Sequence, residues 1–593
     1  MGSGIFSLGT SAMFASQAKL DTIAHNISNA NTPGYSRQDV QLATEGGLYT
    51  GAGFYGRGVK IVTVTRQTNE FLVKELNVNI AQASNDQTRL DKLKQLESVL
   101  PTGENGLGYA AGQVLNAFVD VANQPQDLSA RQVVLSRAQE WVSRMNNAGK
   151  QINALQEGVL SDMKTTVASI NTLTQQIASV NQDIAKYQGS GHAPNDLLDR
   201  RDQLIRDLNK QVQVTTVEAD DGTLSVFMGG GQLLVLSNQA QTLEMVRDPS
   251  DSSKGRVALV GTNGSRILDD SQMTGGAVRG LLTFQDEDLT QTRNQLNTFA
   301  NDFASAINAQ QALGVDLDGN TKTTFDASGN PVIEAMFLNT DDASSIRLAL
   351  QSPKGIAAAS PLVAIAPPTN TGTATVDSLV MMRAVPNGTA PDALTSRPVN
   401  GAPLKVVFEA DPSDPTGNSL IYRFEDENGN PYKDTFPARV WNGDVKINDA
   451  DPASNPATPL FELSISGVPK AGDTLSIQWT EFHSGNNGNA MAMLNLRDKA
   501  IVSLDGSSYT TVTDAYSQMI GSLGVIVQGG ETSADISQTL QTRSEQTLSS
   551  TAGVNLDEEA ARLIQFQQSY QAAAKVLQIA QSIFDTLLQT ARG

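Results

Sequence analysis

The chain has 593 residues, with 42 Lys and Arg against 62 Asp and Glu, a formal charge of -20 and no cysteine. That balance excludes disulfide and thiolate chemistry, and it argues against nucleic acid or an anionic membrane as main partners, since both need clustered cations. The length exceeds a single core, so about three or four domains are expected, and no run of eighteen apolar residues is present to span a membrane.

The first residues, MGSGIFSLGTSAMFASQAKL, lack a basic stretch, and their apolar side chains are spaced rather than clustered. They do not read as a cleavable signal peptide, so a route out of the cytoplasm is expected to keep them. Phe6, Gly9, Met13, Ser16, Leu20, Ile23, Ile27 and Ala30 alternate spacings of three and four, which predicts a helix with one apolar seam. Asn31-Thr32-Pro33-Gly34 is turn chemistry: Pro fixes φ and Gly permits the left-handed conformation. Strand-like runs at 37–42 and 59–66 flank a glycine-rich stretch at 46–58. Its Gly51, Gly53, Gly56 and Gly58 imitate a phosphate loop, but no Lys-Ser/Thr follows and no helix opens there, which favours a flexible loop.

A long helix is predicted over 69–100, with Leu72, Leu76, Ile80, Ala83, Gln87 and Leu90 on one face, stopped by Pro101-Thr102-Gly103. A shorter helix carries Val114, Leu115, Phe118 and Val119. The next start is marked by Ser129 and Gln132 as a capping box and by Leu128 and Val133 as a hydrophobic staple. From there one helix runs to Tyr187. Its first seam is Trp141, Met145, Ala148, Ile152 and Leu155. After a spacing shift near Val159 and Met163, its second is Ile170, Leu173, Ile177, Val180, Ile184 and Tyr187. Such a helix is roughly 85 Å long at 1.5 Å per residue, a length suited to rods and bundles. At 194–212, Leu197, Leu198, Leu204, Ile205 and Leu208 form a core side, and Asp196–Arg200 and Asp202–Arg206 are spaced as i,i+4 pairs. Asp196, Asp199 and Asp202 suggest a metal site or a solvated, salt-paired face; the arginines in reach favour the second.

The period then changes to two, giving strands around Val212 to Val217, Leu224 to Met228 and Leu233 to Leu236, with turns at 220–222 and 229–231. Helix returns near Gly280 with Leu289, Leu296, Phe303 and Ile307 as anchors. Asp316-Leu317-Asp318-Gly319-Asn320 faintly resembles a calcium loop, but it lacks the distal Glu and reads as a polar turn. From 361 the composition shifts to Pro, Asn, Asp, Thr and Gly. Strand candidates at 404–408, 420–424, 440–447, 461–465 and 475–479 predict an inserted β-sandwich or barrel-like domain. Helix resumes near Asn489, a long helix covers 511–550, and Gly553 ends it. In the last helix Leu563, Phe566, Tyr570, Ala573, Leu577, Ala580, Phe584 and Leu587 form a second seam, capped by Asn555 and preceded by Asp557, Glu558 and Glu559. Matching seams at the two ends predict a helical pair that closes the chain on itself. Two unrelated amphipathic helices on separate cores are the other reading.

His25, His192 and His483 stand alone, and no HExxH, zinc spacing or GxSxG occurs. No enzyme, cofactor, metal or catalytic residue is expected.

ANTPGYSR at 30–37, after a helical N-terminus, resembles the signature of the bacterial flagellar axial proteins, which rod and hook proteins share. GVNLDEEAARLIQFQQSYQAAAKVLQIAQSIFDTLL at 553–588 is similar to the C-terminus of the hook-associated protein 1 family. NDLLDRRDQL, GNNGNAMAMLNL and TDAYSQMIGSLG look like the same family, and the likeness weakens through 361–482. Periodicity and resemblance agree on a multidomain α+β fold. Its N- and C-terminal α-helices pair as a coiled coil (1–68 with 551–593). A long-helix bundle forms a rod domain (69–215 with 280–312 and 485–550). A β-rich domain (216–279 with 313–360) and a β-rich variable insert (361–484) lie outside it.

The resemblance implies a structural component of the bacterial flagellum that joins the hook to the flagellin filament. It implies secretion through the flagellar type III apparatus to the hook–filament junction outside the cell. The neighbours it implies are the hook protein and the third hook-associated protein, with self-assembly into a ring or short tube and a cytoplasmic export chaperone at the C-terminal region. The alternative is another flagellar axial protein, a hook, rod or filament-type subunit. The expected assembly seam is Phe6, Met13, Leu20, Ile23, Ile27, Leu563, Phe566, Tyr570, Leu577, Phe584 and Leu587.

Overall fold

The computed structural model describes residues 2–50, 53–188, 193–262, 264–325, 331–382, 404–415, 419–426, 428–431, 438–441, 443, 446–448 and 461–592. The fold mixes helix and sheet. Its helices are α1 Gly2–Asn29, α2 Glu70–Val99, α3 Leu107–Asn116, α4 Phe118–Asn123, α5 Leu128–Gln188, α6 Asn195–Gln211, α7 Ala277–Thr283, α8 Thr290–Leu313, α9 Gly488–Asn495, α10 Val512–Ala552 and α11 Leu556–Arg592. No helix among the described residues is long and apolar enough to cross a membrane. The chain divides into two compact units. One comprises Met1–Gln95, Leu155–Leu289 and Ile526–Gly593; the other comprises Leu96–Ala154 and Thr290–Val525.

In the first unit, β1 Gln38–Thr44 and β4 Val59–Arg66 form an antiparallel ribbon, and β2 Leu48–Thr50 pairs with β3 Gly53–Tyr55 at its far end. The glycine-rich stretch therefore contains a hairpin rather than only a loop. Gly53 and Gly58 supply positive φ, at 135° and 98°, where the ribbon turns. Gly51 and Ala52 lie outside the described residues. Along α2, Leu76, Ile80, Ala83 and Leu90 are buried, but Gln87 is exposed and does not belong to that face.

Two small sheets lean on α5: β5 Val214–Glu218, β6 Leu224–Met228, β7 Gln232–Leu236 and β8 Gln239–Ala240 in one, and β9 Leu243–Arg247, β10 Gly255–Gly261 and β11 Gly264–Ile267 in the other. Val159, Met163, Ile177 and Ile184 are buried on α5. Two asparagines add specific contacts. Asn171 Nδ2 donates to the Leu243 carbonyl and its Oδ1 accepts from the Leu243 N–H, both at 2.8 Å. Asn181 does the same with Leu224, at 2.8 and 3.2 Å. Each amide side chain thus imitates a neighbouring strand and satisfies backbone groups that burial would otherwise orphan.

In the second unit Trp141 of α5, fully buried, lies 4.7 Å from the Phe303 ring and 5.2 Å from Phe337. The start of α5 differs from expectation. Asp127 caps it, its Oδ1 accepting the Ser129 N–H at 2.8 Å and its carbonyl accepting the Arg131 N–H. Leu128 and Val133 are both 44% exposed and make no staple. An aspartate two residues upstream meets the first free N–H groups before Ser129 does.

Short hairpins β12 Thr323–Phe325 with β13 Pro331–Ile333, and β14 Phe337–Leu338 with β15 Arg347–Leu348, follow α8. The polar turn at 316–320 is organised by Asp316, which accepts the Asp318 and Asn320 N–H groups and the Lys322 ammonium at 2.6 Å. Lysine supplies the positive charge there.

Next come β16 Leu362–Ile365, β17 Thr375–Met381, β18 Leu404–Ala410, β19 Leu420–Glu425, β20 Arg439–Trp441, β21 Lys446–Asn448, β22 Phe461–Ser466 and β23 Thr474–Trp479. They form a five-stranded sheet in the order β16-β23-β18-β19-β20 and a three-stranded sheet in the order β17-β22-β21. Val406, Phe408, Phe424, Ile447, Phe461, Leu463 and Leu475 from both sheets share one core. The run expected as one strand at 440–447 is two, β20 and β21, in different sheets. Strands β16 and β17 had no strand expectation. The first is only four residues, Leu-Val-Ala-Ile, between Pro361 and Pro367, and the second follows the turn-rich stretch Pro367-Pro368-Thr369-Asn370-Thr371-Gly372.

Candidate functional site

Helices α1 and α11 lie against each other in the first unit. Asn555 starts α11: its Oδ1 accepts the Asp557 and Glu558 N–H groups at 3.0 and 3.2 Å. Rising residue numbers on α1 meet falling numbers on α11, so the pair is antiparallel. Phe6 meets Phe584 edge to face, with ring centroids 6.3 Å apart. Gly9 abuts Leu577. The Lys19 ammonium sits 5.5 Å from the Phe566 ring centre, and Asn26 Nδ2 donates to Glu559 at 3.0 Å.

Of the expected seam residues, Ile23 is buried, and Phe6, Met13, Leu20, Leu563, Phe566, Tyr570 and Leu577 are half-buried. Gly9, Ser16, Ala573 and Ala580 are also buried, so small residues occupy the closest approach. Ile27 and Phe584 are exposed, at 37% and 45%. The side chain of Leu587 lies outside the described residues. On a different face of α11, Val576, Ile579 and Ile583 form a second apolar stripe that is open to solvent, with Ile579 at 53%, and Ile564, at 56%, stands apart from it beyond Gln568 and Lys575.

The polar residues that fasten this pair were not among the expected site residues. Asn26, 1% exposed, fills every hydrogen-bonding position of its amide. Its Oδ1 accepts the Tyr35 hydroxyl at 2.8 Å and the Gln38 N–H at 2.9 Å, and its Nδ2 donates to the Gln38 carbonyl at 2.9 Å and to Glu559. Arg37 Nε donates to Glu559 at 2.7 Å, and the Arg37 backbone N–H donates to the Ala552 carbonyl. Glu559, itself 1% exposed, thus receives two donors from the N-terminal segment. One signal marked it in the sequence: it falls four residues before Leu563, on the seam, where an apolar residue would fit the pattern.

On the other side, the turn after α1 docks on α6. Asp199 accepts the Ser36 N–H at 3.0 Å, and Asp196 accepts Gln38 Nε2 at 3.0 Å. Arg66 Nη1 lies 2.9 Å from Asp199 and 2.6 Å from Asp202. The expected pairs within α6 and its solvated acidic face give way to this arrangement. Arg66 comes from β4 and reaches both acids directly; Arg200 stays exposed, and the half-buried Arg206 turns its Nε to Gln203 at 3.1 Å instead. Burial opposes the Arg66 charge, but Asp202 and Asp199 outweigh it and hold the guanidinium above its usual range. Burial, then Asp196, Asp199 and Glu559, push the Tyr35 hydroxyl well above the usual tyrosine range. No group of three metal-ligating side chains occurs among the described residues. The arrangement is a fastening, in which neutral donors and paired charges join α1, its following turn, α6 and α11.

The family model described as "Flagellar hook-associated protein FlgK helical domain" matches residues 93–326. "Flagellar basal body rod FlgEFG protein C-terminal" matches 545–590, and "Flagella basal body rod protein" matches 7–35. The chain is 28% identical over 597 residues to flagellar hook-associated protein 1 of Salmonella typhimurium, covering 99% of each. It is 28% identical over 592 residues to that of Escherichia coli, again covering 99% of each, and 24% identical over 587 residues to that of Bacillus subtilis, covering 97% of this chain and 96% of the relative. The solved flagellar hook junction protein FlgK from Burkholderia pseudomallei, 23% identical, shares the fold with a TM-score of 0.62 over 80% of this chain and 99% of that one.

Proposed function

As a member of the flagellar hook-associated protein 1 family, the chain is a hook-associated structural component of the bacterial flagellum, and we propose that it joins the hook to the flagellin filament through its paired terminal helices. The observation that carries this reading is the second apolar stripe of α11. Val576, Ile579 and Ile583 lie outside the intrachain pair and stay in water, and a monomer gains nothing from leaving such a patch exposed. Neighbouring copies stacked in a ring or short tube bury it.

On this reading 1–68 with 551–593 is the axial part, its helices a coiled coil carrying the seam of Phe6, Met13, Leu20, Ile23, Ile27, Leu563, Phe566, Tyr570, Leu577, Phe584 and Leu587. Residues 69–215 with 280–312 and 485–550 form the rod domain, 216–279 with 313–360 a β-rich domain, and 361–484 an outer insert. The chain leaves the cell through the flagellar type III apparatus, with a chaperone on its C-terminal region, and ends between the hook protein and the third hook-associated protein. Its work is mechanical rather than catalytic.

The rod-protein models matched at 7–35 and 545–590 favour a second reading, another axial subunit. The full-length likeness supports the junction instead. Gold labelling of a tag in the insert on isolated hook–filament structures tests it: a band at the junction is expected, and label along hook, rod or filament would sink the proposal.

A further inference from the structure

The three-four spacing of the α1 and α11 seams does not by itself define where along each other the helices stop. Leu563, Phe566, Tyr570, Ala573, Leu577, Ala580 and Phe584 alternate three and four, so sliding α11 by seven residues lays the same pattern on itself. Apolar packing resists such a slide only in part: Leu563, Tyr570, Leu577 and Phe584 exchange among equivalent places, although the slide also brings Phe566 to the place of buried Ala573. A buried polar contact does not tolerate it: moving the acceptor by one repeat leaves donors and a charge without partners in a dry site. The pair has such a contact at one end, where Glu559 receives Arg37 Nε and Asn26 Nδ2.

We propose that Glu559 is the register-determining residue of the terminal helix pair, and that Arg37 and Asn26 read its position. Two features make the reading strict. Asn26 is committed at both ends of its amide by Tyr35 and Gln38, so it cannot rotate to follow a displaced partner. Arg37 is fixed by its own backbone, whose N–H donates to Ala552 and whose carbonyl accepts from Gln67. The donors are therefore held by the N-terminal segment, and α11 must bring its one buried carboxylate to them. A single polar residue on an apolar helix seam is an attested way of fixing register at some cost in stability. Glu559 acts on the placement of α11, and the inference holds whether or not the chain works at a junction.

The chain lacks cysteine, so nitroxides at Gln17→Cys and Gln581→Cys are the only labels in the full-length monomer. Both positions are exposed and are offset along the pair, so sliding changes their separation almost one for one. The parent should give one narrow distance by pulsed electron spin resonance. Glu559→Leu should add a second population displaced by about 10 Å, the rise of seven helical residues. Leu563→Ala, which weakens the adjoining seam position and keeps the contact, should retain the single distance. A single parental distance in Glu559→Leu overturns the proposal, and so does a second population in Leu563→Ala. If Glu559→Leu frays α11, the Asn26→Leu, Glu559→Leu double variant restores apolar contact on both sides. A shifted distance there supports the proposal; a parental distance, or fraying again, overturns it, since a merely stabilising contact predicts loss of order without a change of register.

Discussion

A Cβ added to Gly9 would lie 2.8 Å from both Cγ and Cδ2 of Leu577. Glycine in mid-helix costs about 1 kcal/mol relative to alanine, and here the close approach it permits lets Leu577 fill the space between two backbones. Leu577→Asp replaces that contact with a carboxylate in a half-buried place and should weaken the terminal pair by about 2 kcal/mol. Gln578→Asp, exposed on the neighbouring face, should change it by less than about 0.5 kcal/mol. Amide exchange along α1 and α11 reads the difference in the monomer, and incorporation into hook tips at equal secretion reads it in cells. Equal protection and equal incorporation of the two variants would remove the seam from the account.

Arg66 is the sole cation within ion-pair distance of Asp199 and Asp202 among the described residues. Arg66→Ala removes the direct partner of two sheltered carboxylates, with the Arg206 charge still near both, and should cost about 1.5–3 kcal/mol, the usual range for a hydrogen bond to a charged group. Converting both acids to Asn in the same background should recover much of it. Urea unfolding with an unchanged m-value is the measurement; a loss under 1 kcal/mol (about the size of an exposed pair) contradicts the assignment.

The start of α5 offers a direct choice between two caps. Asp127→Ala removes the acceptor of the Ser129 N–H and should destabilise by about 1 kcal/mol, whereas Ser129→Ala should be neutral within about 0.5 kcal/mol. Thermal unfolding of the two variants side by side decides it, and the reverse order would restore Ser129 as the cap.

Asp270 carries a pH signature. Its carboxyl is held above the usual carboxylate range by burial, which the nearby Arg256 only partly offsets, and one of its oxygens has no hydrogen-bond partner. The folded state therefore binds this proton more tightly than the unfolded chain does. Its contribution to stability is present below the ordinary carboxylate pKa and is lost as pH rises through the raised value. Asp270→Asn should raise the Tm at neutral pH and flatten that slope just above pH ~4. A lower Tm at neutral pH would show that the ion pair to Arg256 outweighs the burial cost.

The long helices and the β-rich stretch were legible because each leaves a period in the sequence, three-four or two. The fastening was not, because it has no period. Asn26, Tyr35, Arg37, Arg66, Asp199 and Glu559 come from separate stretches, and what joins them is burial, which a single sequence does not display. Asp199 and Asp202 were misread for that reason. Arg200 and Arg206 are close in sequence, while Arg66 is close only in space. Gln87 was placed on the core side of α2 by spacing alone, although its side chain reaches water. Strands β16 and β17 escaped because a four-residue apolar run between prolines and a short strand after a Pro-, Thr- and Gly-rich turn look like loop.

The two hydrogen bonds between Asn171 and Leu243 bear on how such a chain survives at high concentration. Strand β9 is outermost in its sheet, and an outermost strand normally offers free amides and carbonyls on which a strange chain can add itself. At Leu243 both groups are already taken by a side chain from α5. Asn171→Ala would reopen that position, and the first sign of damage should be concentration-dependent clumping of folded protein rather than a lower melting point.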